Sequence, residues 1–410
     1  MDNDLHLSTV KKMNLRLIPF IMLLYLIAYI DRANISVAAL QMNADLALTA
    51  EMYGIAAGIF FVSYILFEIP SNIILTRVGA KIWIARIMVT WGVIAMGMSL
   101  VQTPLQLYTM RFLLGVAEAG FTPGIIYYLS CWYPRSDRAR AMSMFYIGAA
   151  LASLIGLPIS GAILQMNNVL NIAGWRWLFL LEGAPAILLG IVVYFYLDNK
   201  PEDAKWLGPQ QRAWLAGVLT QEAKQTPTQQ EHHWQAAFKN RKVWLLSLMW
   251  LLQAFGTIGI GLFLPLIIKG VVSEQSNFII TLLSAVPFLF ACMFMYFNGH
   301  YSDTHRARAV PLGLPLILSG LLLLAAIYST NMVIAYVLLV FTIALINAVA
   351  NIVGLALPPV IGRIKDMTSS YDAALIMVAI ALVLGGIIGL QVGRWKHIAK
   401  LPIHQDTPEH

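Results

Sequence analysis

Arg111-Phe-Leu-Leu-Gly-Val-Ala-Glu118-Ala-Gly-Phe-Thr-Pro-Gly124 places two opposite charges inside an apolar segment of about 25 residues, the length of a membrane-spanning helix. Seven residues separate Arg111 from Glu118, so they share one helix face, about 10 Å apart along its axis. A charge at membrane depth costs at least about 2.5–3.5 kcal/mol, so each needs a partner or a water-filled cavity. Two interpretations follow: a structural ion pair, or an anion-binding arginine beside a titrating acid. We favour the second.

Small residues around Glu118 narrow this helix. Gly115 and Gly120 let a neighbouring helix come close, and Thr122-Pro123-Gly124 weakens the backbone hydrogen-bond ladder. Charge, close packing and a weakened helix therefore coincide in one short stretch.

Composition indicates that most of the chain lies in lipid. The 410 residues are 59% hydrophobic and 11% charged, with a mean hydropathy of +0.73, whereas soluble domains carry about 25% charged residues. The net charge of +7 does not indicate nucleic acid binding, because the basic residues stand at the ends of apolar segments and set topology. The sequence has no P-loop, zinc-hydrolase helix or Gly-x-Ser-x-Gly motif, so we expect no ATP-driven pump and no enzyme.

Apolar segments fall into two sets joined by a polar stretch. Six spans are predicted at about 17–40, 52–74, 82–103, 105–130, 141–165 and 175–197, and later ones at about 242–268, 277–298, 308–328 and 372–393. We predict an all-α polytopic protein with an N-terminal six-helix bundle (1–197), a cytoplasmic linker (198–241) and a C-terminal bundle with a short tail (242–410). One amphipathic piece is expected in the linker, near Pro209–Ala223.

Loop charge predicts the orientation. Lys and Arg gather in alternate connections, whereas the loops near 41–51, 100–105, 166–174 and 329–331 hold none. The positive-inside rule therefore places the N-terminus and the linker in the cytoplasm.

The span count becomes inconsistent after Asn331. Residues 332–361 carry no charge, and a helix of about 30 residues would be about 45 Å long, too long for one upright span and too short for two. One alternative is a single tilted span that ends before Pro358 and puts the basic C-terminal tail outside. The other keeps the tail inside and leaves Met332–Thr342 too short to cross. We favour the second, with the eleventh and twelfth helices retained and the tenth position partly empty.

Asp31 and Arg32 lie inside the first span. Helix neighbours point about 100° apart, so each side chain needs its own partner. Arg32 and Arg111 together could hold a carboxylate through planar two-point contacts. Alternatively, Asp31 and Arg32 mark a shifted helix end, with Arg32 reaching to the interface.

Other polar groups recur at helical spacing. Tyr64 and Glu68 share a face of the second span. Tyr64 could offer its hydroxyl to a substrate, and we expect Glu68 to pair with an arginine such as Arg86 as a gate or brace. Asn347 and Asn351 share a face near the end of the chain, where they either bond across helices or line a cavity.

Six motifs occur in a fixed order along the chain. They are Asp31-Arg-Ala-Asn34, Phe67-Glu-Ile-Pro-Ser-Asn72, Trp83-Ile-Ala-Arg86, Arg111–Gly124, Gly174-Trp-Arg-Trp-Leu-Phe179 with Glu182, and Asn347–Asn351. Together they resemble the anion:cation symporter branch of the major facilitator superfamily, above all bacterial tartrate/phthalate-type permeases, over residues 15–395. The resemblance implies twelve helices in two bundles and a central site opened alternately to each side. It also implies proton-coupled uptake of a small organic anion, such as a sugar acid, tartrate or an aromatic carboxylate, across a bacterial inner membrane.

The same resemblance implies roles for individual residues. Asp31 and Glu118 match the proton-carrying acids; Arg32, Arg111, Tyr64 and Asn347 match contacts to the substrate anion; Glu68, Arg77, Gly79 and Asp303 match gating or structural positions. The family's gating loop usually reads Gly-x-x-x-Asp-Arg-x-Gly, and here Thr76 replaces its aspartate. We expect a monomer surrounded by lipid, with a proton and an organic anion as ligands and no nucleic acid, cofactor or metal.

Phe341-Thr342-Ile343 departs from the family pattern. Relatives have about one helix more at this point, where the span count also fails, so we infer an internal deletion in the tenth and eleventh helix region. Two alternatives to the symporter therefore stay open: a transport-impaired truncated paralogue, and an exchanger or exporter of organic anions.

Overall fold

The computed structural model describes residues 2–224, 241–272, 274–305, 309–347 and 372–393, and every regular element in these ranges is helical. Contacts divide the chain into two compact units. The first contains the described residues up to 224 together with 262–285. The second contains 241–261, 286–305, 309–347 and 372–393.

Eight helices form the N-terminal part of the first unit. They are α1 (Asp2–Asp45), α2 (Ala50–Val78), α3 (Ala80–Gly97), α4 (Pro104–Glu118), α5 (Phe121–Trp132), α6 (Arg135–Leu164), α7 (Gly174–Tyr196) and α8 (Pro209–Lys224). Within this unit α1 packs on α6 and α7, α2 on α4, and α3 on α7.

The later helices begin in the second unit. They are α9 (Arg241–Ala254), a π-helical turn (Phe255–Ile260), α10 (Gly261–Val271), α11 (Asn277–Thr304), α12 (Ala309–Ile327), α13 (Met332–Asn347) and α14 (Asp372–Gly393). In the second unit α12 packs on α13 and α14, and α9 packs on α14.

Most of α10 and the start of α11 belong to the first unit. The Tyr53 hydroxyl of α2 donates to the Leu262 carbonyl at 2.7 Å, and Lys269 Nζ donates to the Leu40 carbonyl at 3.2 Å. Polar contacts therefore join α1 and α2 to a segment more than 200 residues later in the chain.

Local sequence explains where the site-bearing helices begin. The Thr49 side chain accepts the Met52 amide at the start of α2, and the Thr103 side chain accepts the Gln106 amide at the start of α4. Each threonine satisfies a backbone donor that the first helical turn leaves free. Pro104 adds a residue suited to the first helical position.

Nine helical stretches in the described part of the chain are long and apolar enough to cross a membrane. Two shorter apolar helices, Leu151–Leu164 and Met332–Asn347, accompany them. The protein is therefore a multi-pass membrane protein, as the composition predicts.

Helix α8 lies where the linker was expected to contain a helical piece. Its Glu222 carboxylate accepts the Arg135 amide at 3.0 Å and lies 3.9 Å from the Arg138 guanidinium. Gln211, also on α8, accepts a hydrogen bond from Lys12 Nζ at 2.9 Å. These contacts hold α8 against α1 and α6 within the first unit.

Helix α13 corrects one expectation. Met332–Thr342 is not a separate short piece, because the helix continues to Asn347 without a break. Its 16 described residues have a length of about 24 Å. Residues 348–371, with Asn351 and Pro358, and the tail from 394 lie outside the described residues, so the side on which the chain ends stays a prediction.

Candidate functional site

Arg32 and Glu118 form an ion pair in the first unit. Arg32 Nε on α1 donates to Glu118 Oε1 at the end of α4 over 2.5 Å, and the Glu118 side chain is completely buried. Sequence spacing favoured Arg111 as the neighbour of Glu118, because both lie on one helix. The direct partner instead comes from α1, and Arg111 interacts with Glu118 only at longer electrostatic range.

The fourth span is broken directly after Glu118. Helix α4 ends at this residue and α5 begins at Phe121. Pro123 explains the position of the break, since its ring would clash with the carbonyl four residues earlier, that of Ala119, in a continuous helix. Gly120 makes the turn with φ 87°, in the left-handed region that glycine adopts without strain. The helix was expected to weaken at Thr122–Gly124. The break instead occurs at Gly120, two residues earlier and beside the buried Glu118.

The Ala119 carbonyl at the break accepts a hydrogen bond from a side chain of another helix. Ser71 Oγ on α2 donates to the Ala119 carbonyl at 2.6 Å, and Trp83 Nε1 on α3 donates to Ser71 Oγ at 2.9 Å. A Cβ atom on Gly120 would lie only 2.3 Å from Ser71 Oγ. Three helices thus meet at the break and position the end of α4.

Arg111 is held differently from Arg32. Its Nε donates to the Ala56 carbonyl of α2 at 3.2 Å, and its guanidinium lies 4.7 Å from the centre of the Phe60 ring. Gly115 permits this approach, because a Cβ there would lie 2.0 Å from Ser63 Oγ. Arg111 is 1% exposed.

Both guanidiniums have a buried nitrogen without a hydrogen-bond partner among the described residues. These atoms are Arg32 Nη2 and Arg111 Nη1, and Glu118 Oε2 is likewise unpartnered. A buried donor without a partner costs about 1–3 kcal/mol, more for a charged group. Two such cationic donors beside a carboxylate suit a bound anion that supplies acceptor oxygens.

Asp31 has hydrogen-bond and charge partners of its own, as the helix geometry predicts. Its Oδ1 accepts from Asn34 Nδ2 at 3.1 Å, and Asp31 interacts electrostatically with Arg111. Asn34 also contacts Glu182 on α7, whose Oε1 accepts the Ser160 hydroxyl at 2.5 Å.

Tyr64 and Glu68 line the Arg32 side of the site. The Arg32 guanidinium lies 5.0 Å from the centre of the Tyr64 ring, and Glu68 interacts with Arg32 electrostatically. The expected Glu68–Arg86 brace is absent from the ion pairs of the described residues. Arg86 stacks instead on Trp83, 3.8 Å from the ring centre.

Among the predicted gating positions, Gly79 has the clearest structural reason. It links α2 to α3 with φ 100°, and the following Lys81 amide donates to Asn199 Oδ1 at 3.1 Å. Arg77 is exposed nearby. The side chain of Asp303 lies outside the described part of the structure.

Asn347 belongs to the second unit. Its Nδ2 donates to the Ile343 carbonyl of its own helix at 2.8 Å, and the neighbouring Ile346 carbonyl accepts Gln253 Nε2 at 3.3 Å. Its assignment to substrate contact stays a prediction.

Sequence reasoning assigned no role to Glu182, Ser71 or Trp83. Glu182 could have been found, because a carboxyl group within an apolar span is by itself a mark of function. Ser71 and Trp83 carried no such signal, since a hydroxyl and an indole are tolerated in many membrane helices. Only the position of the break in three dimensions explains them.

Comparisons with known proteins agree with this architecture. Residues 21–390 match the family model of the Major Facilitator Superfamily. A protein of Agrobacterium vitis named "Putative tartrate transporter" is 41% identical over 424 aligned positions, covering 96% of each chain. The inner membrane transport protein RhmT of Escherichia coli is 35% identical over 314 positions, covering 77% of this chain and 72% of that protein.

One solved structure is similar in fold. The bacterial homologue of the human lysosomal transporter Spinster gives a TM-score of 0.68, at 18% identity, over 93% of this chain and 96% of that chain. The 424 positions aligned with the Agrobacterium vitis protein exceed the 410 residues of this chain, so that protein has residues with no counterpart here. Family model, sequence relative and fold agree across almost the whole length, and the chain belongs to the Major Facilitator Superfamily of membrane transporters.

Proposed function

We propose that this protein imports a small organic anion together with protons across the bacterial inner membrane, with its N-terminus in the cytoplasm and as a monomer. The observation that carries the proposal is that Arg32 and Arg111, the two cations that interact with Glu118, each have one buried nitrogen without a hydrogen-bond partner among the described residues. The name of the Agrobacterium vitis relative supports tartrate as the first substrate to test. The name of the Escherichia coli relative supports the inner membrane.

The Arg32–Glu118 ion pair supplies the coupling. An anion that binds the Arg32 guanidinium competes with Glu118 for the same positive charge. Once it loses that counter-charge, the buried Glu118 carboxylate is costly and takes up a proton. Anion and proton binding therefore favour each other, and by linkage the effect is equal in both directions.

The remaining site residues have supporting roles in this proposal. Asp31 is a second proton-carrying acid beside Arg111, and Tyr64 offers its hydroxyl next to Arg32. Asn347 is the substrate contact proposed from the second unit. Glu68, Arg77, Gly79 and Asp303 are proposed as gating or structural positions around the site.

The test is transport of tartrate by purified protein in vesicles. An inward proton gradient should drive accumulation in the wild type. In Glu118→Gln it should drive none, whereas exchange of labelled for unlabelled tartrate should persist, because a neutral side chain at 118 needs no proton. Accumulation by Glu118→Gln at the wild-type extent would disprove coupling through this residue. If proton gradients drove tartrate out of the vesicles but never into them, an exporter would be favoured.

A further inference from the structure

A second group of polar side chains is buried between α1, α6 and α7, and it adjoins the proposed anion site through Asp31. It consists of Asp31, Asn34, Ser160 and Glu182, and none of the four is more than 6% exposed. The hydroxyl of Ser160 donates to Glu182 Oε1, and Asn34 Nδ2 donates to Asp31 Oδ1. Glu182 interacts with both Asn34 and Asp31, so the two acids belong to one network.

Within the described part of the chain, no cation balances a negative charge on Glu182. None of the ion pairs among the described residues includes it, and the one titratable group in electrostatic contact with it is another acid, Asp31. From α3, the neighbours of the adjoining Gly183 are Met96 and Gly92. A lone carboxylate in such a place is very unfavourable, and two neighbouring acids cannot both be charged cheaply.

The network also has free oxygen atoms. Asp31 Oδ2, Asn34 Oδ1 and Glu182 Oε2 are buried and have no hydrogen-bond partner among the described residues. Buried acceptors of this kind call for a donor. A proton on Glu182 turns one of these acceptors into a donor and removes the uncompensated charge in the same step.

We propose that Glu182 binds a proton on Oε2, at a site distinct from Glu118, and that Asn34 links this site to Asp31. Its role in transport rests on the proposed proton-coupled uptake. An anion at Arg111 weakens the electrostatic support that Arg111 gives Asp31. The Asp31–Glu182 pair then holds a shared proton more firmly, and it releases this proton to water when the anion leaves.

Infrared spectroscopy of the purified protein without substrate tests the proton directly. Spectra recorded over roughly the range in which buried carboxyl groups titrate, about pH 4 to 9, should contain the carbonyl band of a protonated carboxyl group. Glu182→Gln should remove this band and Glu118→Gln should leave it in place. A band unaffected by Glu182→Gln, or the lack of such a band in the wild type, would overturn the proposal.

Ser160→Ala provides a second test of the assignment that does not depend on whether Glu182→Gln folds. Removal of the hydroxyl that donates to Oε1 should move the Glu182 band to higher frequency without abolishing it, because the carbonyl loses a hydrogen bond. An unmoved band contradicts the assignment. If sodium ions, added at constant pH, remove the band and stabilise the wild type but not Glu182→Gln, the site binds a metal cation and the proton assignment is wrong.

Transport measurements separate this inference from the proposed function. If Glu182 takes part in coupling, Glu182→Gln should exchange tartrate but lose at least tenfold in proton-driven accumulation. A wild type that shows the Glu182 band but no proton-driven uptake of tartrate refutes the symport proposal and leaves the proton site in place. A wild type that accumulates tartrate without the band refutes the proton site alone.

Discussion

In the proposed mechanism, an incoming anion displaces Glu118 from Arg32 Nε, the atom that donates to this carboxylate. Arg111 Nε donates to a backbone carbonyl rather than to an acid, and its Nη1 has no hydrogen-bond partner among the described residues. The two arginines therefore differ in function within the proposed site. Arg111 is a fixed anchor, and Arg32 exchanges one acidic partner for another.

This difference predicts unequal effects of conservative substitution. Lysine keeps the charge but loses the planar fork of donors. A charge-assisted hydrogen bond contributes about 1.5–3 kcal/mol, so Arg111→Lys should weaken tartrate binding by about tenfold to a hundredfold. Arg32→Lys should cost less, because it also loosens the competing Glu118. Calorimetry on protein in detergent measures the tartrate affinities of both variants. Substitution of the exposed Arg140, Arg140→Lys, is the control. Equal, unchanged affinities would leave only structural roles for both arginines.

Ser71 gives a stability prediction at the same scale. Ser71→Ala leaves the Ala119 carbonyl and the Trp83 indole N–H without their partner, which should lower the free energy of unfolding by about 1–3 kcal/mol. The control is Thr76→Ala, since that exposed hydroxyl bonds only to its own helix. Thermal unfolding in detergent should separate the two variants. Equal melting temperatures would show that the Ser71 contact contributes nothing.

Among the elements, the interrupted fourth span decides where the buried acid lies. Ending α4 at Glu118 places this carboxylate at a helix terminus, next to a carbonyl that α2 and α3 hold in position. A continuous helix would carry Glu118 in mid-helix, and the Ala119 carbonyl would have no donor in the ladder, because Pro123 lacks a backbone N–H. The break is therefore part of the site.

Gly120→Ala tests the break. A left-handed conformation costs a residue with a Cβ about 1–2 kcal/mol, and the new atom would also meet Ser71 Oγ. We expect reduced thermal stability and weaker tartrate binding together, because the end of α4 must shift. Gly217→Ala is the matched control: it lies at an exposed position of helix α8, and its Cβ would meet nothing within 4 Å. That variant should be as stable as the wild type or more so. If the control bound tartrate more weakly, or if Gly120→Ala bound it as tightly as the wild type, the link between the break and the binding site would be disproved.

The same span shows how far sequence reasoning reaches. The apolar length, the charges at 111 and 118 and the weakness near Pro123 can be read along the chain, because each depends on local spacing. The partner of Glu118 cannot, because Arg32 lies 86 residues away and only the packing of α1 brings it close. Glu182 resembles Glu118 in the sequence, and its lack of a cation becomes visible only when α1, α6 and α7 are assembled.

For the whole molecule, the uncharged stretch of residues 332–361 is the weak point. Its roughly 30 residues are too many for one upright span of a core of roughly 30 Å and too few for two spans. Membranes accommodate such mismatch at a cost of fractions of a kcal/mol per ångström, through thinning or tilting. The chain should therefore be less stable than its full-length relatives and should accumulate substrate poorly.

A graft tests this expectation. The tenth and eleventh helix region of the Agrobacterium vitis relative, restored at Phe341-Thr342-Ile343, should raise the melting temperature and the extent of tartrate accumulation. The matched control carries an equally long Gly/Ser segment at the same point. Robust accumulation by the unaltered chain would contradict the predicted impairment.

A reporter fused to the C-terminus should be active on the cytoplasmic side, and activity on the outer side alone would overturn that topology.

The hydrogen bonds that Tyr53 and Leu40 make with the segment after residue 261 have a consequence during synthesis. Domains generally fold in the order in which they leave the ribosome. Here the N-terminal helices emerge first, but their compact unit also includes residues 262–285, which follow the linker. A ribosome stalled in the linker should therefore hold a nascent chain that proteases cut readily near Tyr53, and protection should appear only once α10 has entered the membrane.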